Sequence, residues 1–149
     1  MDPQQTANRA AAAMWAGDVA SQSLGMELVE VGPGLATLRM TVREDMVNGH
    51  GIGHGGLTFC LADSAFAFAC NSYGRTTVAA GAEISFLAPT RTGDVLEARA
   101  VEREREGRDG RYDVTVARVV PLPETVVATF TGRSRELAEP SDGAPRKFL

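Results

Sequence analysis

Hydrophobic and polar positions change period several times along this chain, and each change marks an element. Met26 to Val31 and Leu35 to Val42 alternate apolar and polar on either side of Gly32-Pro33-Gly34, which predicts two strands joined as a hairpin. Leu57 to Ser72 breaks that rhythm and is almost continuously apolar; a helix hydrophobic all round is a buried one. Alternation then returns in Thr76 to Ala88, with a bend expected at Gly81, and in Val95 to Arg103, Tyr112 to Val119 and Thr125 to Arg133. Pro89 to Gly93, Gly107 to Gly110 and Pro121 to Pro123 supply the turns, because proline presets one turn dihedral and glycine accepts those other residues avoid.

At the start of the chain, Asp2 is placed to cap an alanine-rich helix over 3–16 that has Pro3 in its first position and Gly17 at its close. A second short helical turn is expected from Asp18 to Leu24. One long apolar helix among about six antiparallel strands has few packing solutions, since the helix needs cover and the sheet has one apolar face to give. The pattern therefore predicts an α+β fold in which the sheet wraps around the helix. A single domain is expected over residues 1–149, with its core at 24–134 and a proline- and charge-rich surface tail at 139–149.

Composition narrows the function classes. Nineteen acidic against fifteen basic residues give a net charge of -4, so the chain offers no basic footprint for nucleic acid or an anionic membrane. An anionic ligand must be held locally. No apolar run approaches the ~20 residues of a membrane span. The segment Asn8 to Ala16 imitates a signal peptide, but acidic Asp2 and a weak alanine core argue against export. Cys60 and Cys70 fall ten residues apart on the long helix, roughly 15 Å at helical rise, so they cannot pair with each other. Reduced thiols and the missing leader point to the cytoplasm.

Candidate chemistry concentrates in Asn48-Gly-His-Gly-Ile-Gly-His-Gly-Gly56 and the following Leu-Thr-Phe-Cys-Leu-Ala-Asp63-Ser64. An ionised carboxylate inside an apolar helix is costly unless it is paired or reached by solvent. The helical neighbours of Asp63 at three and four residues are Phe59, Cys60, Phe66 and Ala67, none of which can neutralise it. Either a cation or backbone donor from another segment meets Asp63, or it is a catalytic carboxylate whose raised pKa suits a general base. Gly55 and Gly56 stand where the helix begins, so their N–H groups lack intrahelical acceptors and form a ready oxyanion site. Gly55 and Asp63 are eight residues apart, about 12 Å along one helix. One carbonyl cannot touch both, so a shared reaction requires the helix start of one subunit and the carboxylate of its neighbour, and hence at least a dimer.

The other candidates have plainer alternatives. His54 orients the loop or helps bind a carbonyl. Asn48 positions water or substrate, or caps a turn. His50 and His54 are spaced four apart, but intervening glycines and the lack of a third ligand argue against a metal site. Gly51 to Gly56 matches a dinucleotide fingerprint whose parallel βαβ context is missing, and Ser64 has no base beside it for a nucleophile elbow. Phe59, Phe66 and Phe86 line an acyl pocket or simply fill the core.

The set Asn48, His54-Gly55-Gly56 and Asp63, ahead of an apolar helix ending near Asn71-Ser-Tyr-Gly74 and of Ser85-Phe-Leu-Ala-Pro89 with Gly93-Asp94, resembles the PaaI branch of hotdog-fold thioesterases. The likeness covers roughly Leu24 to Arg133. It implies a hotdog fold and hydrolysis of an aryl-acetyl thioester of coenzyme A, such as phenylacetyl-CoA or its hydroxylated derivatives. Asp63 then acts as base or nucleophile, the Gly55 amide holds the oxyanion, and Asn48 with His54 position the reacting groups. Gly56, Phe59, Ser64 and Phe86 are the expected substrate contacts. The resemblance also implies a tetramer and no metal or organic cofactor. Coenzyme A phosphates call for local cations, for which Arg91 and the hairpin arginines Arg103, Arg105, Arg108 and Arg111 are candidates. A hotdog hydratase or dehydratase and a non-catalytic acyl-CoA-binding regulator are the competing readings.

Overall fold

The computed structural model describes residues 1–138; the expected surface tail at 139–149 lies outside the described residues. Helix α1 (Pro3–Gly17) opens with a capping box: the Asp2 carboxylate accepts from the Gln5 N–H at 2.8 Å and the Gln5 side chain accepts from the Asp2 N–H at 3.0 Å. Asp18 then caps the short α2 (Val19–Ser23) by accepting from the Ser21 N–H. Strands β1 (Glu27–Gly32) and β2 (Leu35–Thr41) form the expected hairpin. A 3-10 turn at Glu44–Met46 and the glycine loop lead into the long helix α3 (Gly55–Cys70). Four strands follow: β3 (Thr77–Phe86), β4 (Val95–Glu106), β5 (Asp109–Val120) and β6 (Thr125–Glu136).

All six strands join one antiparallel sheet in the order β1-β2-β4-β5-β6-β3. α3 packs on its concave face and contacts every strand, which is the hotdog arrangement. Leu61, Ala62, Ala65, Phe66, Phe68 and Ala69 of α3 are buried against Leu38, Leu96, Val114, Val116 and Phe130 from the sheet. The Phe66 ring lies 5.7 Å from that of Tyr112 and 5.8 Å from that of Phe130. It occupies the place of a side chain on β6, because a Cβ on Gly132 would stand 2.8 Å from ring carbons of Phe66. That glycine lets helix and sheet close on each other.

Two expectations change in detail. β4 and β5 run further than their apolar alternation, and the turn is the two residues Gly107-Arg108 rather than four. Solvated strands pair through their backbones whatever their side chains, and cross-strand ion pairs Arg103–Asp113 (2.7 Å) and Arg111–Glu104 (3.9 Å) decorate this extension. The bend expected at Gly81 is present as a register shift between Ala79 and Gly81 against β6. α3 begins at the glycines, as expected, two residues before the apolar run.

The burial of α3 is not complete. Gly56, Cys60, Asp63 and Ala67, spaced to share one side of the helix, are exposed or half-buried, as is Asn71 just beyond. The sheet leaves a second surface open. β3 is an edge strand, no residue in it is buried, and its one charged side chain is Glu83.

Candidate active site

The glycine loop is built around Asn48. Its side-chain oxygen accepts from the His50 N–H at 2.9 Å and from the Ile52 N–H at 3.4 Å, while its backbone N–H donates to the Ile52 carbonyl. Asn48 is therefore a turn cap, and its amide NH2 remains without a partner among the described residues. Gly53 lies flat on Thr90: its N–H donates to the Thr90 carbonyl at 2.8 Å, and a Cβ there would fall 1.8 Å from the Thr90 hydroxyl oxygen. The close approach is between two parts of the chain, and it fixes where the helix starts.

His54 is the N-cap of α3. Its Nδ1 accepts from the Gly56 N–H at 2.9 Å, and its carbonyl accepts from the Leu57 and Thr58 N–H groups. Accepting at Nδ1 leaves the ring proton on Nε2, and the His54 side chain is exposed. Of the four amides that a helix start leaves without intrahelical i→i−4 partners, those of His54, Gly56 and Leu57 donate to the Met46 carbonyl, to Nδ1 of His54 and to the His54 carbonyl. Gly55 keeps the remaining one, with no acceptor among the described residues. This corrects the expectation for Gly56, whose N–H is taken up by the cap. The spacing of His54 and Gly56 carries no such signal, because a histidine cap needs a particular ring rotamer that sequence does not report.

Gly55 opens onto a groove of about 360 Å³ lined also by Asn48, Ile52, Thr58, Phe86, Ala88, Thr90 and Val127. Phe86 forms a wall rather than core, being 56 % exposed with its ring against Gly55. Arg91 follows Thr90 at the rim; its backbone N–H donates to the Asp94 carboxylate, and its guanidinium has no ion pair among the described residues. Arg103, Arg105 and Arg111 pair with Asp113, Glu102 and Glu104.

Of the expected site residues, His54, Gly56 and Arg91 adjoin the groove without lining it, and Phe59, Ser64 and Asp63 lie away from it. Phe59 packs edge-on against Phe130 at 5.2 Å between centroids. Ser64 turns to α2, where its hydroxyl meets that of Ser21 at 2.8 Å; a helix residue adjacent to Asp63 points about 100° away from it, which moves Ser64 from substrate contact to helix anchor. Asp63 stands two turns along α3 from Gly55, outside the groove. It makes no hydrogen bond or ion pair among the described residues, and burial alone pushes its carboxyl above the usual carboxylate range. The neighbouring Cys60 and Cys70 thiols are also held up, Cys70 to about 12, chiefly by burial and with help from the negative charge of Asp63. Both cysteines are free. Among the described residues there is no cluster of three metal-ligating side chains and no helix long and apolar enough to cross a membrane.

One protomer thus holds an oxyanion donor in an apolar groove, and elsewhere a half-buried, unpaired carboxylate. Residues 50–119 match the sequence pattern of the thioesterase superfamily. The chain is 40% identical over 125 residues to the acyl-coenzyme A thioesterase PaaI of Escherichia coli K12, covering 84% of this chain and 87% of that protein. It superposes on the structure of the E. coli PaaI protein from the phenylacetic acid degradation operon with a TM-score of 0.87 and 37% identity, over 92% of this chain and 97% of that one. A mutant of the phenylacetic acid degradation protein PaaI from Thermus thermophilus gives a TM-score of 0.73 and 37% identity, over 78% of this chain and 97% of that one.

Proposed function

The chain belongs to the thioesterase superfamily, and on that premise we propose that it hydrolyses acyl-CoA thioesters, with an aryl-acetyl group such as phenylacetyl or a hydroxylated derivative as the acyl part, in a site completed by a neighbouring subunit. The observation that carries this is the separation within α3. Its one uncommitted N-terminal amide, Gly55, faces an apolar groove, while Asp63, unpaired and half-buried, lies about 12 Å away on the same helix. Chemistry needing both draws them from two chains. The half-open helix stripe around Asp63, with small Cys60 and Ala67 beside it, gives a partner helix room to approach. The uncovered β3 edge, long, poor in charge and ending in exposed Phe86 with exposed Leu87 just beyond, has the character of a strand that pairs with another copy. The assembly is at least a dimer, and a tetramer follows the family.

In this reading the thioester carbonyl enters the groove with its oxygen toward the Gly55 N–H. The Asp63 carboxylate of the adjacent subunit takes a proton from water as the water oxygen attacks the carbonyl carbon, or attacks that carbon itself. Negative charge collects on the carbonyl oxygen, where the Gly55 amide and the dipole of α3 stabilise it. Collapse breaks the C–S bond; on the first route the proton held by Asp63 passes to the departing coenzyme A thiolate, and on the second water hydrolyses the acyl–Asp63 anhydride, which releases the acid, restores the carboxylate and supplies the proton that the thiolate takes up. The Asn48 amide NH2 and the Nε2–H of His54 help orient the thioester, Phe86 flanks the acyl group, and Arg91 meets a phosphate of the cofactor arm. No metal or organic cofactor has a step to perform. The two free thiols support a cytoplasmic setting.

The test is release of free thiol from phenylacetyl-CoA, 4-hydroxybenzoyl-CoA, hexanoyl-CoA and crotonyl-CoA by wild type and Asp63→Asn. Hydrolysis led by the aryl-acetyl substrate, and lowered on the order of 10²–10⁴-fold in the variant, is expected. Equal turnover by both proteins would remove Asp63 from the mechanism, and hydration of crotonyl-CoA without thiol release would favour the hydratase.

A further inference from the structure

The sheet face turned away from α3 gathers arginines that the groove does not use. Arg111 of β5 and Arg133 of β6 are direct cross-strand partners, and Arg135, two residues along β6, shares their face. Like charges directly opposite each other weaken a strand pair, so this arrangement costs stability and its presence calls for a reason. β3 makes room for it. Gly81 is the β3 partner of Arg133, and a Cβ on Gly81 would fall 2.8 Å from Cζ of Arg133. The guanidinium therefore lies across the strand backbone. Register fixes the face: Gly81 to Phe86 pairs with β6 without a shift, residues five apart on a strand point to opposite sides, and Phe86 points to Gly55 of α3. Arg133 is thus on the outer face, with its row about 17 Å along β3 from that of Phe86.

These side chains and Arg108 of the β4–β5 turn line a cavity of about 770 Å³. All four arginines are exposed. The acids of the cavity are Glu104, Glu106 and Asp109, one fewer than the arginines. Asp109 pairs with Arg135 at 3.2 Å, and Glu104 reaches Arg111 only at 3.9 Å. Both are exposed pairs, which hold charge weakly, and Arg108 and Arg133 have no ion pair among the described residues. In a chain whose net charge is -4, a local surplus of cations built on an opposed arginine pair has the form of an anion site, because a bound anion turns the repulsion into shared attraction. Arginine forks match the oxygens of phosphate in particular. We propose that Arg108, Arg111 and Arg133 hold a phosphate group on the outer face of the sheet, at a site separate from the groove beside Gly55. The phosphate is a free ion or part of a larger molecule such as coenzyme A. Phosphate binding here stands without the hydrolase reading; only a coenzyme A source rests on it.

The experiment titrates inorganic phosphate, coenzyme A and 3′-dephospho-coenzyme A into wild type, Arg133→Gln, Arg111→Gln and Arg103→Gln by calorimetry, and follows Tm with and without phosphate, all at one ionic strength set with sodium chloride. Arg103 is the control, since it belongs to the same hairpin but is committed to Asp113 and does not line the cavity. Without phosphate, Arg133→Gln should melt at or above wild type, because the like-charge pair is gone. Phosphate should raise the Tm of wild type and of Arg103→Gln and leave that of Arg133→Gln nearly unchanged. Kd should weaken about tenfold in Arg133→Gln and in Arg111→Gln, as loss of one charge-assisted hydrogen bond implies. An arginine with only a structural role would not produce this crossover. Weakening for inorganic phosphate alone assigns the site to a free ion. Weakening for coenzyme A but not its 3′-dephospho form assigns it to the ribose phosphate of that molecule, and weakening for both to its diphosphate. No binding of any probe, equal Kd in wild type and both cavity variants, or the same weakening in Arg103→Gln overturns the site. None of these readouts uses thiol release, so failure of the site and failure of the hydrolase reading are distinguishable.

Discussion

Replacing Gly55 by alanine separates an oxyanion site from a turn glycine. The new methyl would lie 3.0 Å from Cζ and 3.2 Å from Cε1 of Phe86, against an ordinary carbon contact of about 3.5–4.0 Å. The ring must therefore retreat by roughly half an ångström, which is cheap for a side chain 56 % exposed. Alanine is favoured over glycine in helix interiors by up to about 1 kcal/mol, and the first helical position recovers part of that. The net change should stay within about 0.5 kcal/mol, or a couple of degrees in Tm. The amide hydrogen is kept. Yet the methyl stands beside the one free N–H, where the carbonyl must arrive, and misplacing reacting atoms by about 1 Å costs on the order of 100-fold. Gly56→Ala is the control, because its methyl would press at 3.0 Å on Cε1 and Nδ1 of His54 and disturb the cap at a cost of about 1 kcal/mol. Thermal melting with thiol-release kinetics should show Gly55→Ala stable and slow, and Gly56→Ala less stable but more active than Gly55→Ala. Near-normal kcat/KM in a folded Gly55→Ala, or loss of activity that tracks loss of stability, would refute the reasoning.

Two further outcomes follow from Asp63. Its carboxyl is raised above the usual range by burial, so the folded protein holds that proton more tightly than the unfolded chain. The associated stability is full below the unfolded pKa and is lost as pH rises through the raised folded pKa; Asp63→Asn should therefore melt higher than wild type near pH 7, by an amount typical of stabilising substitutions, about 0.5–2 kcal/mol, with the gap closing in acid, and an equal or lower Tm at pH 7 would contradict this. The acid limb of the kcat/KM profile should reflect the same group, rising with pH through a value above that of an ordinary aspartate; a limb inside the ordinary range would show Asp63 to be solvated in the working enzyme.

The helix-and-sheet architecture is legible in the sequence because its period changes are sharp: a two-residue alternation for the strands and one unbroken apolar stretch for α3. That stretch also misleads in one respect. A helix apolar on every side predicts burial on every side, yet the stripe through Cys60, Asp63 and Ala67 is half open, since one six-stranded sheet has too little surface to enclose it. In the proposed assembly, another chain would cover that stripe. Strand ends in the Arg- and Glu-rich hairpin are hidden from the pattern, because backbone pairing continues where side-chain alternation stops. At the site, Asp63 and Gly55 are conspicuous by residue type. The division of labour among the helix-start amides is not, since it depends on the rotamer of His54, and Ser64 misleads because adjacency in sequence to Asp63 is not adjacency on a helix.

The central claim is that each thioesterase site takes its oxyanion donor from one chain and its carboxylate from another. Asp63→Asn and Gly55→Ala, each nearly inactive alone, should be dissociated together, allowed to reassociate at equal concentration, and assayed for thiol release. If sites cross the subunit boundary, half the dimers are mixed and each carries one intact site, so activity should return to about a quarter of wild type. If Gly55 and Asp63 serve the same reaction from within one chain, the mixture will be no more active than its parents.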